Sequence, residues 1–139
     1  MLKNKLEIFM KQIMILFIIS TLLSAGNFKI FADKMTYETN FAVALQKAKK
    51  DIFLIVVTNS CHWCAKYESK TLSQQDMDKR IKEKFIPLIM NRDSKDFLKK
   101  YYLPIVPITY IINHKTQEEE NSMVGYRTTK ELSDEIDMY

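Results

Sequence analysis

Ile52-Phe53-Leu54-Ile55-Val56-Val57-Thr58-Asn59-Ser60-Cys61-His62-Trp63-Cys64 joins an unbroken aliphatic run to two cysteines spaced C-x-x-C. A β-branched and aliphatic run of this length suits a strand buried on both faces, in the middle of a sheet flanked by helices. Asn59-Ser60 supplies a turn and a cap, and Ala65, Lys66, Tyr67 and Glu68 continue as a helix that starts at or near Cys61 and bends near Thr71-Leu72. Cys61 and Cys64 are the only cysteines in the 139 residues. Two thiols with two residues between them can close a small disulfide ring and reopen it, which is redox chemistry.

Upstream, Thr39 or Asn40 caps a helix whose Phe41, Ala44, Leu45 and Ala48 share one face, with Lys47, Lys49 and Lys50 at its negative end. Downstream, residues 73–84 read as a capped helix with Met77 and Ile81 inward, and residues 85–90 as a strand in which Pro87 marks an edge or an irregularity. Residues 93–101 read as a short helix burying Phe97 and Leu98, and residues 108–112 as a third strand. Asn113-His114 turns the chain, Glu118-Glu119-Glu120 reads as solvated loop, and a weaker strand at 122–124 returns antiparallel. Thr128 or Thr129 opens a terminal helix with Leu132 and Ile136. The order α-β-α-β-α-β-β-α predicts one α/β domain over residues 36–139, with parallel pairs from the alternation and an antiparallel closing hairpin.

Residues 1–26 stand apart. Lys3, Lys5 and Lys11 precede the apolar stretch from Ile13 to Leu23, and small Ser24-Ala25-Gly26 follow, the pattern of a secretory signal peptide. The apolar run is roughly 11–13 residues, short of the ~18–20 that span a bilayer, and an uncleaved membrane anchor is the alternative. Without residues 1–26 the chain carries 18 basic and 16 acidic residues. That near-balance gives no reason to expect nucleic acid as a partner. Export would place the protein in the periplasm or another extracytoplasmic space, where disulfides persist.

With this element order, the chain resembles the thioredoxin superfamily on several specific residues. Besides the C-x-x-C at the start of a helix, Tyr101-Tyr102-Leu103-Pro104-Ile105-Val106-Pro107 runs into the third strand, and Val106-Pro107 matches the position of the family's cis-proline. Gly125-Tyr126 before the last helix is similar to its closing turn. The Cys-His-Trp-Cys tetrapeptide also occurs in larger thioredoxin-like proteins of unassigned role. The small exported members are the most similar, among them the Sox-type thioredoxins and the periplasmic C-terminal domain of the Dsb electron transporter. The resemblance implies a thioredoxin fold with a mixed four-stranded central sheet, a monomer, and a redox-active Cys61–Cys64 disulfide with no other cofactor and no metal. It implies protein disulfides as substrates and a membrane electron donor of the Dsb type. Three departures stand out. His62-Trp63 replaces the Gly-Pro of cytosolic members, Ile55 stands where they bury an aspartate, and Ile108 replaces the threonine after the cis-proline.

Thiol–disulfide exchange needs a thiolate, and Cys61 at a helix N-terminus faces unpaired N–H groups and the positive dipole end, both of which stabilise S⁻. Cys61 is therefore the expected nucleophile and Cys64, one turn on, the resolving thiol. His62 and Trp63 are the candidates for tuning the potential, and each also reads as a surface spacer or a cap on the helix. Val106 and Pro107 are the candidates for substrate positioning, Pro107 by keeping a backbone edge open for an extended substrate. Water, Glu68 or a partner's group is left to handle the Cys64 proton. A reductase is the direction the resemblance implies. A binding protein without turnover, either a chaperone or a copper(I) carrier using both thiolates, is the alternative.

Overall fold

The computed structural model of the protein describes residues 2–22 and 27–139. The small-residue site Ser24-Ala25-Gly26 lies outside them. Helix α1 spans Leu2–Leu22 and α2 spans Asn27–Met35. Among the described residues, no helix is long and apolar enough to cross a membrane. Next come α3 (Phe41–Lys47), β1 (Ile52–Val57), α4 (His62–Tyr67), a π-helical turn (Glu68–Leu72), α5 (Gln75–Lys84) and β2 (Ile86–Asn91). A 3₁₀ turn (Lys99–Tyr101), β3 (Ile108–Ile112), β4 (Glu119–Val124) and α6 (Thr129–Ile136) complete the order.

The four strands form one mixed sheet in the order β2-β1-β3-β4, so the strand that delivers the cysteines lies inside it. β1 runs parallel to β2 and antiparallel to β3, and β3 pairs antiparallel with β4. Every residue of β1 is buried, because its side chains alternate between two cores. Phe53, Ile55 and Val57 enter one with Phe31, Tyr67, Ile81, Leu132 and Ile136 from the helices on that face. Ile52, Leu54 and Val56 enter the other with Phe41, Ala44, Phe97 and Tyr110. At about 1.5–3 kcal/mol for each fully buried large apolar side chain, this two-sided burial holds the strand in place and with it the turn that carries Cys61.

Several expectations are corrected. The core takes in α2, ahead of the expected start at 36: Phe31, Ala32 and Met35 are buried. Residues 93–101 are turns ending in the 3₁₀ segment rather than a helix, although Phe97 is buried as expected. β1 and β3 are antiparallel because the chain enters β3 from the cysteine end of the sheet through the 102–107 loop. Glu119 and Glu120 belong to β4, where their side chains are exposed on the outer strand rather than in a loop. Pro87 sits in an outer strand, where its missing N–H breaks nothing: its carbonyl accepts from Glu38 N–H at 2.9 Å, and Glu38 bridges Leu88 in parallel.

Candidate redox site at the end of the central strand

Cys61 and Cys64 are joined by a disulfide, with Cα atoms 5.2 Å apart. Cys61 is the N-cap of α4, and its Sγ accepts a hydrogen bond from Cys64 N–H at 3.1 Å. A sulfur held against a backbone donor is poised to carry negative charge when the bond opens. Cys64 is 2 % exposed, whereas Cys61 is only half-buried. Of the two sulfur-bearing residues, only the first reaches the surface to an appreciable degree.

Cys61 and Val106 pack on the rim of the same core cluster, together with Phe28 and Tyr126. The Val106–Pro107 peptide bond is cis. Pro107 is buried, and its carbonyl accepts from Gly125 N–H at 2.8 Å, which ties it to the end of β4. Gly125 has φ +89°, a conformation that favours glycine and lets the chain turn there toward α6. His62 is exposed, its ring 5.9 Å from that of Trp63. Trp63 is 52 % exposed, lies 5.9 Å from the ring of Tyr126, and shares with it the Lys66 ammonium, 4.7 Å from each ring centroid. Beneath them Tyr67 is fully buried, and Thr109 donates to its hydroxyl at 3.4 Å. Burial pushes the Tyr67 phenol upward, with the Thr109 bond and Arg127 acting in the other direction, so it stays neutral.

One turn after Cys64, at i+4 and hence on the same helix face, Glu68 is 8 % exposed. Burial alone pushes its carboxyl up to about 7. It opens onto a groove of about 530 Å³ between α2 and α4, lined also by Ile30, Phe31, Lys34, Ala65 and Ser69. The position that the resemblance assigns to a buried aspartate is Ile55, wholly buried and apolar. Of the groups left open in the sequence for the Cys64 proton, Glu68 is thus the buried one with proton affinity near neutrality.

Two further residues carry no signal in the sequence and belong to the site through hydrogen bonds alone. Asn91, at the end of β2, donates to Asn59 Oδ1 at 3.1 Å, in the turn before Cys61. Arg92 donates through Nη1 to the carbonyls of Leu103 and Pro104, at 3.1 and 2.7 Å. Among the described residues, no group of three His, Cys, Asp or Glu side chains gathers as a metal site.

A family model described as "Protein of unknown function, DUF255", and named Thioredox_DsbH, matches residues 32–116, more than half of the chain. The chain belongs to the DUF255 family. The matched region holds both cysteines and the cis-proline and begins inside α2. This DUF255 member is similar to spermatogenesis-associated protein 20 of Mus musculus, 32 % identical over 69 residues, which are 48 % of this chain and 9 % of that protein. The rat protein of the same name is 30 % identical over 69 residues. The chain therefore matches only about a tenth of the length of these relatives. In fold it is similar to a thioredoxin from Thermus thermophilus, with TM-score 0.65 at 17 % identity over 73 % of this chain and 85 % of that one. It is also similar to the C-terminal domain of Neisseria meningitidis DsbD in its oxidised form, with TM-score 0.57 at 14 % identity over 73 % and 97 %. The fold is the thioredoxin fold, and the close cysteine pair in it is the arrangement of a thiol–disulfide redox protein.

Proposed function

We propose that the protein is an exported thiol–disulfide oxidoreductase that reduces disulfides in other proteins. The observation that carries this reading is the Cys61–Cys64 disulfide itself: a half-buried first sulfur bonded to a backbone N–H, and a buried second sulfur one turn on. In the reduced protein the Cys61 thiolate attacks a substrate disulfide, forming a mixed disulfide and releasing one substrate thiolate. Cys64 then gives its proton to Glu68 and attacks Cys61 Sγ. The Cys61–Cys64 disulfide forms, and the second substrate thiolate leaves and takes up a proton. Two electrons pass to the substrate. Val106 and Pro107 form the edge along which an extended substrate segment lies, and the exposed Trp63 and His62 between the two cysteines tune the potential.

Reduction has to be renewed by a dithiol donor, and a membrane electron donor of the Dsb type suits a periplasmic location, which has no thiol buffer of its own. The export reading is supported by Lys3, Lys5 and Lys11 ahead of an apolar stretch. An insulin-reduction assay tests the activity: turnover is expected in the wild type and lost in Cys61→Ser. Expressed in the native host, Cys64→Ser is expected to trap substrates on Cys61 as mixed disulfides. Turnover that survives Cys61→Ser would sink the mechanism. Absence of turnover together with stoichiometric copper(I) binding lost in Cys64→Ser would establish the carrier instead.

A further inference from the structure

We propose that Arg92 is a positioning residue for substrate capture, holding the loop that carries Val106 and Pro107 at a fixed place beside Cys61. This rests on the reductase reading above. Arg92 leaves the end of β2 with its backbone locked: its N–H donates to Val57 O at 2.9 Å, and Val57 ends the strand that delivers Cys61. Its guanidinium Nη1 then reaches the carbonyls of Leu103 and Pro104, at 3.1 and 2.7 Å, and the group lies 5.4 Å from the ring centroid of Tyr102. Among the described residues, no other hydrogen bond reaches those two carbonyls. For a charged side chain it is deeply set, with 16 % exposure, and its Nε faces Asp93 at 3.4 Å.

The residue before it holds the opposite side of the site. Asn91 donates to Asn59, in the turn before Cys61, and accepts from Asp93 N–H at 2.9 Å. Two consecutive residues thus grip the two segments that flank the disulfide, and a single peptide unit sets the distance between their anchors. The 102–107 loop lacks a helix or strand ladder to order it, and its residues 102–105 are exposed. A charged nitrogen shared between two carbonyls supplies that order in advance of binding. Without it, the loop would be ordered at the moment the substrate docks, so the cost would fall on binding rather than on sulfur chemistry.

The test compares a protein disulfide with a small neutral disulfide that does not need the loop edge. Arg92→Met is expected to raise KM for insulin by about tenfold with kcat changed less than twofold, as expected for lost pre-organisation. Its effect on reduction of 4,4′-dithiodipyridine is expected to stay under twofold. Arg92→Lys, which keeps the charge but not the planar guanidinium beside Tyr102, is expected to fall between Met and wild type, and it serves alone if Arg92→Met does not fold. An unchanged KM for insulin, or an equal slowing of both substrates, overturns the proposal. If the wild type itself fails to reduce insulin, the reductase reading falls separately. Amide hydrogen exchange at Ile105 and Val106 then decides: faster exchange in the variants supports the clamp, and unchanged exchange overturns it.

Discussion

Replacing Glu68 by Gln should stabilise the protein at alkaline pH and do little at acid pH. Glu68 is 8 % exposed, and burial raises its carboxyl from 4.5 to about 7. Between those values the folded chain holds a proton that the unfolded chain has lost, so wild-type stability falls as pH rises through this window and levels off above it. At about 1.4 kcal/mol for each tenfold change in proton affinity, the full effect is about 3 kcal/mol. The groove beside Glu68 admits water, which reduces the expected figure to about 2 kcal/mol. Gln matches the shape of the neutral carboxyl and cannot ionise. Urea unfolding of the oxidised protein measures this directly. At pH 4.5 the two proteins should unfold together, and at pH 8 the variant should be the more stable by about that amount. A difference that stays constant from pH 4.5 to 8, or a variant less stable at pH 8, would refute the burial argument. In the reduced protein the same substitution should also remove an inflection near pH 7 from the rate of substrate release.

Other perturbations probe the frame around the site. Thr128 caps α6, and Glu131 returns the bond to its backbone N–H in a capping box. Thr128→Ala should cost about 1 kcal/mol in urea unfolding, and a cost below a few tenths would show that the box is redundant. His114 ties the β3–β4 turn to the residue before β1: its backbone N–H and its ring Nδ1 lie 3.0 and 2.8 Å from Asp51 Oδ1. Burial pushes Asp51 up, but the hydrogen bonds and charge of His114, with Lys115, outweigh it and hold the carboxyl below its usual value. Its contribution to stability is therefore present above the unfolded-state value near 4 and is lost as pH falls below it. His114→Ala should cost about 1 kcal/mol at neutral pH and less at pH 3, as read by thermal unfolding. An equal loss at both values would count against the pair.

Much of the site could be read from the chain because its signals are local. The aliphatic run of β1, the turn at Asn59-Ser60 and the cysteine spacing lie within thirteen residues, and each acts on its neighbours. Asn40 and Thr128 are visible for the same reason, since an N-cap needs only a polar side chain two or three residues before a free N–H. The residues the sequence does not mark act at a distance along the chain. Arg92 reaches carbonyls eleven and twelve residues ahead, and Asn91 pairs with a side chain thirty-two residues back. Neither has a periodicity that would mark it. α2 falls between the signal segment at 1–26 and the domain expected from 36, because Phe31, Ala32 and Met35 are too few to show a helical period of their own. Phe97 reads as buried from the sequence and is buried, but a buried residue in a polar stretch does not say whether the backbone around it is helix or turn.

Helix α2 also sets a limit on how the chain can be trimmed. Phe28 packs on the rim shared with Cys61, and Phe31 and Met35 complete the core beneath the disulfide helix. A truncation that keeps this packing has to end before Phe28. A cut further on would leave the core under α4 incomplete and remove the α2 wall of the groove beside Glu68. Trimming and the redox site are thus linked through a few residues: the helix that supplies Phe31 and Met35 to the core also forms one wall of the groove onto which Glu68 opens.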